Sequence, residues 1–154
     1  MPTYLGTSKH TLDDKSRLIV PKRFLEEVAP KDAQFTLTAG YERCLLLLDR
    51  QGWAEITADM SRNILCSRGE RAMRRVFLGH AEVVSPDRSS RILIPEPLRQ
   101  YAGMLESPEV VLVGTGKAVE IWSPARWLSV LSEAGSDDEF FDNNPVGGEA
   151  APGS

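Results

Sequence analysis

Two stretches of this chain repeat one another. Asp13-Asp14-Lys15-Ser16-Arg17-Leu18-Ile19-Val20-Pro21 aligns with Asp87-Arg88-Ser89-Ser90-Arg91-Ile92-Leu93-Ile94-Pro95, and Arg91 follows Arg17 by 74 residues. The same spacing continues without a gap, placing Gly40 on Gly114, Arg43 on Lys117, Leu48 on Trp122 and Trp53 on Trp127. The leading pairs Leu5-Gly6 and Leu78-Gly79 also correspond, at one residue less. Self-similarity of this kind means that one supersecondary unit occurs twice, and such units bury their apolar faces against each other. The chain is therefore expected to hold a first copy over 1–60, a basic linker helix over 61–76, a second copy over 77–134 and an acidic tail over 135–154.

Local pattern orders the elements within a copy. Tyr4 to Leu12 and Phe77 to Val84 read as first strands, followed by polar turns at Asp13 to Ser16 and Ser85 to Ser90. Leu18-Ile19-Val20 and Ile92-Leu93-Ile94 are continuous apolar runs, which predicts second strands buried on both faces. Proline suits a helix start because its missing N–H would be unpaired there anyway, so Pro21 to Val28 and Pro95 to Tyr101 are predicted short helices. Two more strands follow in each copy: Gln34 to Thr38 with Cys44 to Leu48, and Val110 to Val113 with Ala118 to Trp122. Their links carry the glycines that hairpin turns use. Helices near Gly52 to Met60 and Pro124 to Ala134 close the copies. The fold class is mainly β with short helices, α+β.

Composition narrows the functional classes. Of 154 residues, 42% are hydrophobic, enough for a core without staples. Cys44 and Cys66 lie far apart and match no metal-binding spacing, so neither a metal site nor a disulfide framework is expected. No basic flank leads into an apolar segment and the longest apolar run is Cys44 to Leu48, so a soluble, cytoplasmic chain without membrane contact is expected. The net charge of −4 argues against a nucleic-acid partner until it is divided along the chain. Six of the 22 acids fall from Glu133 onward, where no Lys or Arg occurs, so the body keeps 18 basic against 16 acidic residues. The tail, rich in acid, Gly and Pro, is expected to be disordered.

The repeated Asp-x-x-x-Arg loops are the sharpest chemical feature. An arginine at a hairpin tip can donate two parallel hydrogen bonds to guanine O6 and N7, and a two-stranded ribbon fits the major groove. The carboxylate four residues earlier can hold that guanidinium, or cap the turn by accepting backbone N–H bonds. Turn-forming aspartates with arginines in surface ion pairs are the plainer reading of the same residues. Between the copies Arg62, Arg68, Arg71, Arg74 and Arg75 face one acid, Glu70, on a helix expected from about Ser67, with Leu65, Ala72 and Val76 as its apolar stripe. That helix is either a solvated linker or a surface for phosphate or a second subunit.

Other candidates are weaker. His10 and His80 have no Cys, Ser or acidic partner at a catalytic spacing, and no enzymatic constellation is evident. Trp53, Trp122 and Trp127 are expected to anchor apolar cores rather than stack on bases. Gly114-x-Gly116 lacks the rest of a dinucleotide motif and reads as a turn.

The doubled motif, the opening Tyr4-Leu5-Gly6-Thr7, the central Phe77-Leu78-Gly79-His80-Ala81 and the closing Val119-Glu120-Ile121-Trp122-Ser123-Pro124-Ala125-Arg126-Trp127 together resemble the MraZ family. The resemblance covers almost everything before the tail. It implies two AbrB-like swapped-hairpin β-barrel halves forming one pseudo-symmetric barrel unit. It also implies ring-shaped homo-oligomers, no cofactor and no small-molecule substrate. The expected partner is double-stranded promoter DNA, with short direct repeats upstream of the division and cell wall gene cluster as targets, and the expected location is the nucleoid. The DNA-reading role carries onto Asp13, Lys15, Arg17, Asp87 and Arg91, and Arg88 joins them as the basic group of the second loop. An AbrB-like protein assembly or antitoxin-type module is the alternative. One departure stands out: the family usually has glycine before the arginine, and this chain has Ser16 and Ser90. If that position needs positive φ, serine is mildly strained there.

Overall fold

The structure is a computed structural model that describes residues 2–30, 33–61 and 66–136. The tail from 137 onward, together with Arg62 and Leu65 of the linker, lies outside the described residues. Two compact units result, Met1–Pro124 and Ala125–Ser154.

The chain is mainly β with short helices. Strands β1 (Tyr4–Thr11), β2 (Arg17–Ile19), β3 (Phe35–Ala39) and β4 (Leu45–Asp49) belong to the first copy, with helices α1 (Lys22–Leu25) and α2 (Arg50–Ser61). After α3 (Arg68–Gly79) come β5 (Glu82–Val84), β6 (Arg91–Leu93), α4 (Glu96–Tyr101), β7 (Glu109–Gly116), β8 (Val119–Trp122) and α5 (Pro124–Ser136). Among the described residues, six strands form one antiparallel sheet in the order β1-β7-β8-β4-β3-β5, and β2 pairs with β6 in a separate two-stranded ribbon. The order reads the same from either end once copies are exchanged. Four of the six ladders, β1 with β7, β4 with β8, β3 with β5 and β2 with β6, join one copy to the other.

That interleaving explains the core. Leu18, Val20, Phe24, Leu37, Leu45, Ile92, Ile94, Leu98, Leu112 and Ile121 are buried in a single cluster drawn from both copies. Each side chain of this size contributes about 1.5–3 kcal/mol on burial. β3 is buried at all five positions, with α2, α3 and α4 packed on it. Trp122 is buried as expected, and Trp53 stacks on Phe77 with centroids 5.6 Å apart. Within α5, Trp127 is half-buried while Leu128 and Leu131 are exposed.

Several expectations are corrected. Phe77 to Gly79 are helical, not strand, because a Ser67–Glu70 capping box starts α3 and the helix runs on until Phe77 is buried. Its carbonyl there accepts a bond from Thr38 Oγ1. β5 is therefore three residues long where its counterpart β1 has eight. β7 is longer than expected because β1 pairs along its whole length. That pairing needs Gly114, where a Cβ would sit 2.4 Å from the Leu5 backbone nitrogen. Pro21 and Pro95 occupy the cap positions just before α1 and α4. In the first hairpin link the positive φ values fall on Glu42 and Arg43 instead of Gly40. α5 extends to Ser136, two residues into the expected tail. Most consequential, β2 and β6 are buried on one face only: Leu18 and Ile92 point inward, whereas Ile19 is 57% and Leu93 54% exposed.

Candidate nucleic-acid interface

Both Asp-x-x-x-Arg segments fold as the same closed turn. The Asp13 carbonyl accepts the Ser16 N–H at 3.0 Å, and the Asp13 N–H donates to the Arg17 carbonyl at 3.0 Å. In the second copy Ser90 donates to the Asp87 carbonyl at 2.9 Å and Asp87 to the Arg91 carbonyl at 3.0 Å. Such a turn closes only if the residue before the strand turns left-handed, and Ser16 and Ser90 do so with φ of 60° and 63°. The position does require positive φ, so serine carries backbone strain that glycine would not.

Each carboxylate does both jobs that its position allowed, one with each oxygen. Asp13 Oδ1 accepts the N–H groups of Lys15 and Arg17, both at 2.9 Å, while Oδ2 accepts Arg17 Nε at 2.8 Å. Asp87 Oδ1 accepts from Ser89 and Arg91 at 2.9 Å, and Oδ2 from Arg91 Nε at 3.0 Å. The backbone N–H of the following arginine, then the other bonds and the guanidinium charge, hold both carboxyls below their ordinary range despite some desolvation. Because Nε is spent on the aspartate, each arginine is aimed, and its Nη end is left as the edge that can donate paired bonds to two neighbouring acceptors.

The ribbon brings the two turns together. Arg17 lies opposite Leu93, Leu18 opposite Ile92, and Ile19 opposite Arg91. Val20 donates to the Ser90 carbonyl at 2.8 Å and Ile94 to the Ser16 carbonyl at 3.0 Å, which locks the turns to the ends of the ribbon. Arg91 Nη1 also reaches Asp13 Oδ2 at 3.9 Å. Lys15 and Arg88 stand exposed at the loop tips. All six predicted residues thus gather around one short ribbon. Ile19 and Leu93, on the same outward face, were missed; a spacing of two residues from the arginines along each strand is the signal that finds them.

The remaining candidates sit elsewhere. On α3, Arg71 donates to the Cys66 carbonyl at 2.8 Å and Arg74 to the Met60 carbonyl in α2, while Arg68 and Arg75 are exposed. His10 does have a serine partner, contrary to expectation: its Nε2 lies 2.6 Å from Ser8 Oγ, two residues back on β1. Arg23 donates to that same hydroxyl at 2.8 Å, and among the described residues no carboxylate bonds the imidazole. His80 Nδ1 lies 2.8 Å from the Val76 carbonyl within α3. Among the described residues no helix is long and apolar enough to cross a membrane.

Fold and site define an internally duplicated α+β chain that presents two matching arginine-bearing turns on one β-ribbon. A family model described as "MraZ protein, putative antitoxin-like" matches twice, over residues 3–76 and 77–144. A transcriptional regulator MraZ of Moorella thermoacetica is 41% identical over 137 residues, covering 88% of this chain and 92% of the relative. Relatives of the same name from Roseiflexus castenholzii and Micrococcus luteus are 36% and 40% identical, covering 90% and 84% of this chain and 93% and 87% of their own lengths. The chain belongs to the MraZ family.

Proposed function

We propose that this chain is a sequence-specific DNA-binding transcription regulator, not an enzyme, that reads promoter DNA through its two Asp-x-x-x-Arg turns. The observation that carries this reading is the duplicated aim of Arg17 and Arg91: two guanidinium groups, each pinned by its own aspartate, on the outward face of one ribbon. Lys15 and Arg88 supply phosphate contacts, and Asp13 and Asp87 act by positioning. The targets are short direct repeats upstream of the division and cell wall gene cluster, and the working location is the nucleoid. A ring homo-oligomer repeats the contact, and linked weak contacts raise avidity far above that of a single site. Exposed Val76 and Leu78 on α3, and Leu128 and Leu131 on α5, are apolar surface suited to contacts between copies.

Fluorescence anisotropy on DNA from upstream of the protein's own gene, against scrambled DNA, tests the reading. Arg17→Ala and Arg91→Ala should each lose about 1–3 kcal/mol per disrupted base contact, with folding checked by circular dichroism. Folded variants that bind as tightly as the parent would overturn it. Light scattering should report a mass several times 17.0 kDa. The second reading, an assembly or antitoxin-type module, has one feature in its favour: an apolar groove of about 270 Å³ lined by Tyr41, Ala72, Met73, Val76, Phe77 and Tyr101. Full assembly with no DNA binding by the parent protein would favour it.

A further inference from the structure

The outward face of the β2–β6 ribbon alternates charge and hydrocarbon. Arg17 lies beside Leu93, and Ile19 beside Arg91, so the arginines occupy one diagonal and the apolar side chains the other. Directly opposed side chains on such a ribbon stand only about 4.5–5.5 Å apart. Ile19 and Leu93 are more than half exposed, while their strand neighbours Leu18, Val20, Ile92 and Ile94 are fully buried. The core therefore uses the inward face of the ribbon, and the folded chain leaves the outward pair uncovered.

The alternation also selects a partner. A second protein copy packed over Ile19 and Leu93 would desolvate Arg17 and Arg91 in the same step, and buried guanidinium groups are costly unless fully paired. The major groove of DNA offers both chemistries side by side: acceptors at guanine O6 and N7, and a single apolar group, the C5 methyl of thymine. We propose that Ile19 and Leu93 read thymine methyl groups on base pairs next to those contacted by Arg91 and Arg17. This assignment rests on the reading of the ribbon as the DNA-facing surface, and it makes the two apolar residues determinants of specificity. The pseudo-symmetry of the ribbon lets each copy contribute one arginine and one methyl-reading side chain.

The test uses one duplex from upstream of the protein's own gene, synthesised once with thymidine and once with deoxyuridine, which lacks only the methyl. The parent protein should bind the deoxyuridine duplex more weakly, by about fourfold for each methyl group that Ile19 or Leu93 touches. The double variant Ile19→Ala, Leu93→Ala should bind the thymidine duplex more weakly than the parent and no longer distinguish the two duplexes. Circular dichroism and light scattering should leave its fold and mass unchanged, since neither side chain belongs to the core. Equal binding of both duplexes by the parent overturns the inference, as does discrimination that survives in the variant. A fall in the variant's mass overturns it too, by assigning this face to the interface between copies. Arg17→Ala and Arg91→Ala are measured alongside. If they lose specific binding while the parent ignores the methyl, the DNA-facing reading stands and only this inference fails; if they bind like the parent, the underlying reading fails.

Discussion

Arg91 Nη1 lies 3.9 Å from Oδ2 of Asp13, in the turn of the other copy. The same oxygen accepts Arg17 Nε at 2.8 Å, so Asp13 lies within ion-pair distance of both arginines, whereas among the described residues Asp87 is bridged only to Arg91. The two turns are therefore not geometrically equivalent. Asp13→Asn should weaken specific DNA binding more than Asp87→Asn, because it releases the hold on two guanidinium groups instead of one. Equal losses, measured by anisotropy on the same duplex, would show that the ion pair across the ribbon does not couple the turns.

Ser16 and Ser90 hold left-handed backbone at φ of 60° and 63°. A non-glycine residue there costs about 1–2 kcal/mol, and glycine gives back part of that through greater freedom in the unfolded chain. Ser16→Gly and Ser90→Gly are each expected to stabilise the protein by up to about 1 kcal/mol in urea denaturation. A destabilised glycine variant would mean that the serine side chains make a compensating interaction.

How much of this was legible in the sequence depends on the length scale of the cause. The 74-residue repeat and the charged pair within each turn are local signals, and they placed the two turns and the aspartate–arginine pair inside each one. The interleaving of copies is a tertiary outcome that no local pattern carries, and it decides what the apolar triplets become. Leu18-Ile19-Val20 looks buried on both faces as a run of letters, yet among the described strands β2 is hydrogen-bonded only to β6 and leaves Ile19 in solvent. Phe77 shows the same limit: as β-prone as any strand residue, it is claimed by a helix whose start signal lies ten residues earlier at Ser67.

The carboxyls of Asp13 and Asp87 titrate below the ordinary value of 3.8, first because each accepts the backbone N–H of its arginine. A folded value depressed below the unfolded one contributes stability that is present above 3.8 and is lost as pH falls through the folded value. The turns should thus stay intact down to about pH 4 and loosen only in stronger acid. Carboxyl-carbon NMR titration should give midpoints below 3.8 for both residues, and midpoints at or above it would contradict the bonded turn.

The strand that leads into the first turn is anchored by a buried pair that the second copy lacks. Tyr4, at the start of β1, donates its phenol to Asp49 Oδ2 at 2.6 Å, and Asp49 Oδ1 accepts the Gly52 N–H at 2.8 Å in the first turn of α2. Phe77 and Ser123 stand at the corresponding places in the second copy, so neither the phenol nor the carboxylate is repeated there. Burial, and then the hydrogen bond to Asp49, hold the Tyr4 phenol protonated well above its ordinary range. Removing the hydroxyl in Tyr4→Phe deletes one buried bond and leaves the Asp49 carboxylate under-satisfied, a cost of about 1–3 kcal/mol. Asp49→Ala removes that bond and the helix cap together, and about 2–4 kcal/mol of stability should go with them. The effects should not add: in the double variant the tyrosine change costs less than it does alone, because its partner is already gone. Urea denaturation of the four chains measures the coupling, and strictly additive losses would show that Tyr4 and Asp49 stabilise the protein independently of each other.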